Sequence, residues 1–154
     1  MRQINDFISK FNASVSLDRD LIVKKDGRYF LLDRKLKRLI RKDFLYAGTY
    51  LGKEENDTFF PSFNLLAMIA QTDANRIVVD KKSEWLFICG RDVFKRGITR
   101  TSGPGRKGDY TLILNEHGNC LGFGRILRYL DTQDQSKIAV KNIVDIGDFL
   151  RRER

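Results

Sequence analysis

Four basic side chains, Arg91, Lys95, Arg96 and Arg100, stand within the stretch GRDVFKRGITR at 90–100, bounded by Gly90 and Gly97. Guanidinium and ammonium groups gathered this way attract phosphates, and glycines let the backbone turn sharply and a ligand approach closely. From Arg91 to Lys107 six basic residues face one acid. Over the whole chain 29 Lys and Arg against 20 Asp and Glu give a net charge of +9, enough for an electropositive surface that draws polyanions. Val93, Phe94 and Ile98 within the loop are expected to be apolar plugs that pin it to a core, not platforms for stacking bases. Further along, Arg125 and Arg128 follow LGFG on an expected strand. Being three apart they face opposite sides, and Arg125 is taken as the one that joins the loop's surface. Arg151, Arg152 and Arg154 end the chain on an expected helix, where cations complement the helix dipole.

Other chemistries find too few residues. His117 is the sole histidine and sits beside Gly118 in an expected turn, so a catalytic triad or a histidine metal site would rest on it alone. Cys89 and Cys120 lack CxxC spacing and stand among apolar neighbours, which reads as free, buried thiols. GPGRKG at 103–108 lacks the GK[ST] ending of a phosphate loop, and GFGRIL at 122–127 lacks the third glycine of a dinucleotide fingerprint. Carboxylate pairs such as Glu54-Glu55 have no apolar setting to raise a pKa. No catalytic residue, no metal and no cofactor is expected. Apolar runs shorter than the roughly 20 residues of a spanning helix, together with the polar start MRQINDF, predict a soluble, unexported chain.

The elements that must position these residues follow from local patterns. Ile4, Phe7, Ile8 and Phe11 make a helical stripe over 3–11. LIVKKDGRYFLLD is a hairpin about Asp26-Gly27. Asp33 caps a helix over 33–43 with Leu36, Leu39 and Ile40 inward and Arg34, Lys35, Lys37, Arg38, Arg41 and Lys42 outward, a basic face taken as solvated. AGTYLG is a strand, and TFFPSFNLLAMIA a short strand broken at Pro61 and followed by an apolar helix or strand. QTDAN at 71–75 is the one plausible boundary, dividing the chain into 1–73 and 74–154, halves small enough that they should pack on each other. Beyond it come a strand RIVVD, a helix opened by Ser83 with Trp85, Leu86 and Cys89 inward and closed by Gly90, and strands DYTLILNEHG and NCLGFGRILRYL joined through His117-Gly118. KIAVKNIV then leads into a last short helix capped by Asp145. The expected class is α+β.

The order of strand, helix, glycine-bounded basic loop and strands ending at GDYTLIL and CLGFGRIL resembles the PUA domain, a small pseudo-barrel RNA-binding module. The whole chain is similar to the Nip-seven family of ribosome-biogenesis proteins, an N-terminal α/β domain followed by a PUA domain. The matching segments are AGTYLGK (47–53), the helix around 60–71, WLFICGRDVFKRGITR (85–100), CLGFG (120–124) and DIGDFLRRE (145–153). The similarity runs from about residue 45 to the end, and the compact length suits an archaeal member. It implies an N-terminal α/β domain packed against a PUA pseudo-barrel, and a non-catalytic cytoplasmic monomer acting in large-subunit assembly and precursor rRNA processing. It further implies single-stranded RNA bound through Arg91, Lys95, Arg96, Arg100, Arg125, Arg151, Arg152 and Arg154, with exosome or pre-ribosomal proteins as partners. Two other readings stand beside it: an accessory of an RNA-modifying enzyme, and an adaptor for acidic proteins.

Overall fold

The computed structural model describes every residue except 42, 129, 131, 132, 153 and 154, and describes the backbone but not the side chains of 149, 151 and 152. The first stripe forms helix α1 (Arg2–Ser9), burying Ile4, Phe7 and Ile8, with Phe11 just beyond it fully enclosed. The Asp26-Gly27 turn has positive φ at both positions, as a two-residue hairpin requires, and joins β1 (Ile22–Lys25) to β2 (Arg28–Leu31). Asp33 caps α2 (Arg34–Leu39), its carboxylate accepting from the N–H of Leu36 at 2.7 Å.

The expected inward stripe of that helix is not inward. No residue of α2 is buried, and Leu39 is 77% exposed. The helix ends within two turns, where Ile40 turns to extended backbone. The outer face of the sheet is covered instead by rings from the segment that follows: Phe44 and Tyr46 meet Phe30 at 5.6 and 5.2 Å between centroids. β3 (Thr49–Glu55) and β4 (Thr58–Pro61) form a second hairpin through Asn56 and Asp57, both at positive φ, and Ser62 caps α3 (Phe63–Ala70). The first sheet runs β1-β2-β3-β4. Pro61 closes an edge strand, where its missing N–H breaks no ladder.

The second sheet comprises β5 (Arg76–Val79), β6 (Val93–Phe94), β7 (Ile98–Ser102), β8 (Tyr110–Leu114), β9 (Cys120–Ile126) and β10 (Ile138–Asp145), in the order β6-β10-β9-β8-β5-β7. Its edges, β6 and β7, are separated in the chain by Lys95–Gly97 alone. Phe94 and Ile98 therefore lie within about 15 Å, whereas a flat six-stranded sheet would put its edges about 24 Å apart. The sheet has to curl into a half-barrel. Strands β6 and β7 lie in what the sequence reads as a loop; β7 escapes notice because ITRTS is an edge strand with no buried residue and hence no apolar alternation.

Curling gives the sheet two buried faces. Ile77, Val79, Ile113, Leu121, Ile126 and Val140 point inside the barrel together with Phe87 and Val93. Val78, Leu112, Leu114 and Phe123 point out, into a core shared with α1, α3 and the first sheet. Strands buried on both faces read as continuous apolar runs such as RIVV and TLIL. Phe7 sits at the centre of the shared core, its ring 5.5 Å from Phe59 of the first sheet and 5.4 Å from Phe123 of the second. The architecture is α+β, with an N-terminal α/β layer packed on a curled sheet.

Helix α4 (Lys81–Ile88) begins earlier than its sequence indicates. Asp80, not Ser83, is the cap, its carboxylate accepting from the N–H of Ser83 at 2.7 Å. Phe87 points into the barrel core, and Trp85 and Cys89, expected inward, are exposed. Both cysteines are free thiols, and Cys120 is partly buried against the shared core, where burial pushes its pKa up to about 11. Gly90 ends α4 at positive φ, and Asp145, itself buried, caps α5 (Ile146–Arg152) through the N–H of Asp148 at 2.7 Å. His117 lies exposed in the turn between β8 and β9. Among the described residues no helix is long and apolar enough to cross a membrane.

Candidate nucleic-acid interface

The basic loop is fixed by contacts at both ends. Val93 is buried inside the barrel, as an apolar plug should be, and Ile98 is packed against the same core. Gly97 is buried where a Cβ would lie 1.9 Å from the hydroxyl of Ser83, so its missing side chain admits helix α4, not a ligand. The main chain of Lys95–Gly97 donates to its neighbour across the end of the barrel: Lys95 N–H to the carbonyl of Lys137 at 2.9 Å and Arg96 N–H to that of Gln135 at 3.2 Å. The ammonium of Lys95 donates to the carbonyl of Leu130, and the guanidinium of Arg96 lies 5.2 Å over the ring of Phe94.

Beside this loop opens a groove of about 720 Å³ lined by Phe94, Lys107, Leu127, Arg128, Ser136, Lys137 and Ile138. Antiparallel pairing assembles it. Ile138 pairs with Phe94, Val140 with Ile126, and Arg125 with Tyr110, so the end of β6, the end of β9 and the starts of β8 and β10 share one end of the barrel. Lys107, Arg128 and Lys137 flank those strand ends. Lys137 is 3.8 Å from Asp134. The hydroxyl and N–H of Ser136 hold the Asp134 carboxyl below the usual carboxylate range, with Lys137 and Arg128 adding to the effect, so a negative charge stands at the rim. The arrangement offers cations for phosphates around one partly exposed aromatic face.

The residues singled out by sequence divide. Lys95 and Arg96 stand at the groove. Arg91 lies exposed beyond α4, its carbonyl accepting from Asn142, whose amide also bonds the carbonyl of Phe87 and the carboxylate of Asp145. Asn142 is four residues along β10 from Ile138, about 13 Å away. Asn142 and Asp145 thereby tie the exposed shoulder at Arg91 to the start of α5. Arg100 is exposed on edge strand β7, paired with Val78 and away from the groove lining. Arg125 rests 5.7 Å over the ring of Tyr110, which Lys10 approaches from α1 at 5.1 Å, and so belongs to the junction between the two sheets. Arg128 is the member of that pair that lines the groove. Arg151 and Arg152 are on α5 with their side chains outside the described residues, and Arg154 lies outside them altogether. Sequence reasoning passed over Lys107 and Lys137. The usable signal is that both sit just before a strand that pairs with the end of β9.

Residues 75–154 match the family described as UPF0113 PUA domain. The chain belongs to that family. The curled sheet with α4 across one end is thus a PUA barrel, and the groove and the basic loop lie on it. The chain is 30% identical over 112 residues to a UPF0113 protein of Archaeoglobus fulgidus, the match covering 71% of this chain and 63% of that relative. In fold it is similar to a conserved PUA domain protein from Thermoplasma acidophilum, with a TM-score of 0.61 at 19% identity over 99% of this chain and 92% of that one. It is likewise similar to a hypothetical protein from the hyperthermophilic archaeon Pyrococcus horikoshii OT3, at 0.61 and 16% over 99% and 95%.

Proposed function

We propose that the chain is a non-catalytic RNA-binding factor of the Nip-seven type, an archaeal, cytoplasmic protein acting in large-subunit assembly and precursor rRNA processing. Residues 1–73 serve as its N-terminal domain and 74–154 as its PUA domain. The observation that carries the reading is the groove on the PUA barrel, where Lys107, Arg128 and Lys137 surround Phe94 and Arg96 is stacked on it. Cations around a single aromatic face suit a single strand, whose phosphates take the charge and whose base takes the ring. The segments AGTYLGK, CLGFG and DIGDFLRRE support the narrower family assignment. Exosome or pre-ribosomal proteins are the partners that go with it. The protein acts by occupancy, holding an RNA segment while others fold or cut it.

The test is binding of an oligouridine to Lys107→Ala/Arg128→Ala and to Arg100→Ala at several salt concentrations. The groove variant should lose roughly tenfold to a hundredfold in affinity and flatten the slope of log affinity against log salt by about 1.4. Arg100→Ala, on edge strand β7 and outside the groove lining, should change little. Equal effects from the two variants would remove the groove as the RNA site.

A further inference from the structure

Helix α2 presents a surface that the groove does not use. Arg34, Lys35, Lys37 and Arg38 occupy four of its six positions, and Arg41 follows it, with no acid between Asp33 and Asp43. Asp33 is committed to the helix cap. Like charges three and four apart, as at Arg34 and Arg38, oppose helix formation. No ion pair found among the described residues engages Arg34, Lys35, Arg38 or Arg41, and all four are exposed. Since α2 buries no residue, the core gains nothing from this arrangement. At 100° per residue Arg34, Lys37 and Arg38 fall on one face, with Arg34 and Arg38 about 6 Å apart along the axis. Lys37 is anchored there by donating to the carbonyl of Asp20.

Five residues beyond Arg41 stands a held aromatic ring. Tyr46 is 63% exposed, yet its ring meets that of Phe30 edge to face at 5.2 Å and lies tilted to that of Tyr50 at 6.3 Å, so the ring is held while most of it stays open to solvent. Tyr46 and Tyr50 also line a second groove of about 940 Å³ that runs past Phe60 to the junction with the PUA barrel.

We propose that α2 and Tyr46 form a second RNA contact, which takes the phosphates of single-stranded RNA without reading its sequence. The proposal rests on the RNA-binding reading of the PUA groove and extends it to the N-terminal half. RNA is favoured over an acidic peptide on two grounds. Arg34, Arg38 and Arg41 carry planar forks that match phosphate oxygens in pairs, and a held, largely exposed ring suits a base. A strand held at one contact reaches the second at high effective concentration, so the pair serves long RNA and leaves short RNA to the groove.

The experiment compares full-length wild type, Arg34→Gln/Arg38→Gln/Arg41→Gln and the corresponding triple Arg→Lys variant on oligouridines of about 8 and about 40 nucleotides, the shorter close to the span of one binding site. The Gln variant should bind the long probe roughly tenfold to a hundredfold more weakly, with a salt slope flatter by about 2, and bind the short probe as wild type does. The Lys variant should keep most of the slope. Unchanged long-probe affinity and slope would overturn the contact, as would an equal loss on both probes. If a glutamate-rich peptide bound wild type but not the Gln variant, while long RNA was unaffected, α2 would be assigned to an acidic protein instead. Absence of binding to either oligouridine by wild type would reject the groove reading itself, a result distinct from loss confined to the long probe.

Discussion

The basic loop at 90–100 and the basic segment at 34–41, which holds helix α2, are both rich in cations but stand in very different settings. In the loop, Val93 is sealed in the barrel, Gly97 is pressed on Ser83, the main chain at Lys95 and Arg96 is bonded across to residues 135–137, and Phe94 faces a groove. Along α2 only Leu36 and Ile40 are even half-buried, and the helix stands on its cap. Packing places the first set of cations relative to one another, which allows a ligand to be recognised by shape. The second set is placed by helix geometry alone, and gives attraction that salt screens.

The contrast breaks most sharply at Gly97. Gly97→Ala puts a Cβ 1.9 Å from the Ser83 hydroxyl and 2.8 Å from its Cβ, an overlap that a short side chain on a helix cannot yield to. Global stability should fall by about 2–3 kcal/mol in denaturant titration. Adding Ser83→Gly should restore part of it; no recovery would show that the loop is not held by this contact.

A smaller effect tests how tightly the start of β9 is packed on the shared core. Burial disfavours the thiolate of Cys120 and pushes its pKa in the folded chain up to about 11, from an ordinary value of about 9. The neutral thiol contributes its full stability below pH 9, and that contribution is lost as pH rises through 11. Wild type should lose about 1.4 kcal/mol from this group at pH 10, and Cys120→Ala should lack that part of the alkaline slope. Burial raises Tyr29 and Tyr50 as well, so the difference between wild type and variant is the quantity to measure. The exposed Cys89 should meanwhile react with a thiol reagent in the native state and Cys120 only on opening. Equal reactivity would mean that β9 is less tightly packed on the shared core than the burial of Cys120 implies.

The smallest effect compares the two aspartate caps. Asp80→Ala, at the start of the packed helix α4, should cost about 1 kcal/mol of global stability. Asp33→Ala should fray α2 and leave global unfolding within about 0.5 kcal/mol, since that helix opens without exposing core. Hydrogen exchange should find the loss confined to residues 34–40. Matched global losses would show α2 to be integral to the fold.

These differences also separate what local pattern reveals from what it conceals. The Asp26-Gly27 hairpin, the α1 stripe and the caps at Asp33 and Asp145 are legible because each depends on residues within a few positions of one another. The inward face of α4 is misread because the stripe that is buried is set by the barrel it packs on, which takes Phe87 in with Val79 and Val93 and leaves Trp85 outside. Arg128 and Arg125 alternate in principle, yet Arg125 lies along Tyr110 at the junction while Arg128, beyond the strand's end, turns to the groove.

By itself, then, the amino-acid order determined an α+β chain, a basic protein with a glycine-bounded cationic loop, and a second half of continuous apolar strands. Each of these is written in composition, turn chemistry and periodicity. Only the tertiary structure decided that the sheet curls, because a three-residue link between its two edges becomes a constraint only once strand order is known. Only it decided which cations share a site: Lys107, Arg128 and Lys137 are brought around Phe94 by antiparallel pairing of strand ends far apart in the chain, and a long-range pairing leaves no local trace.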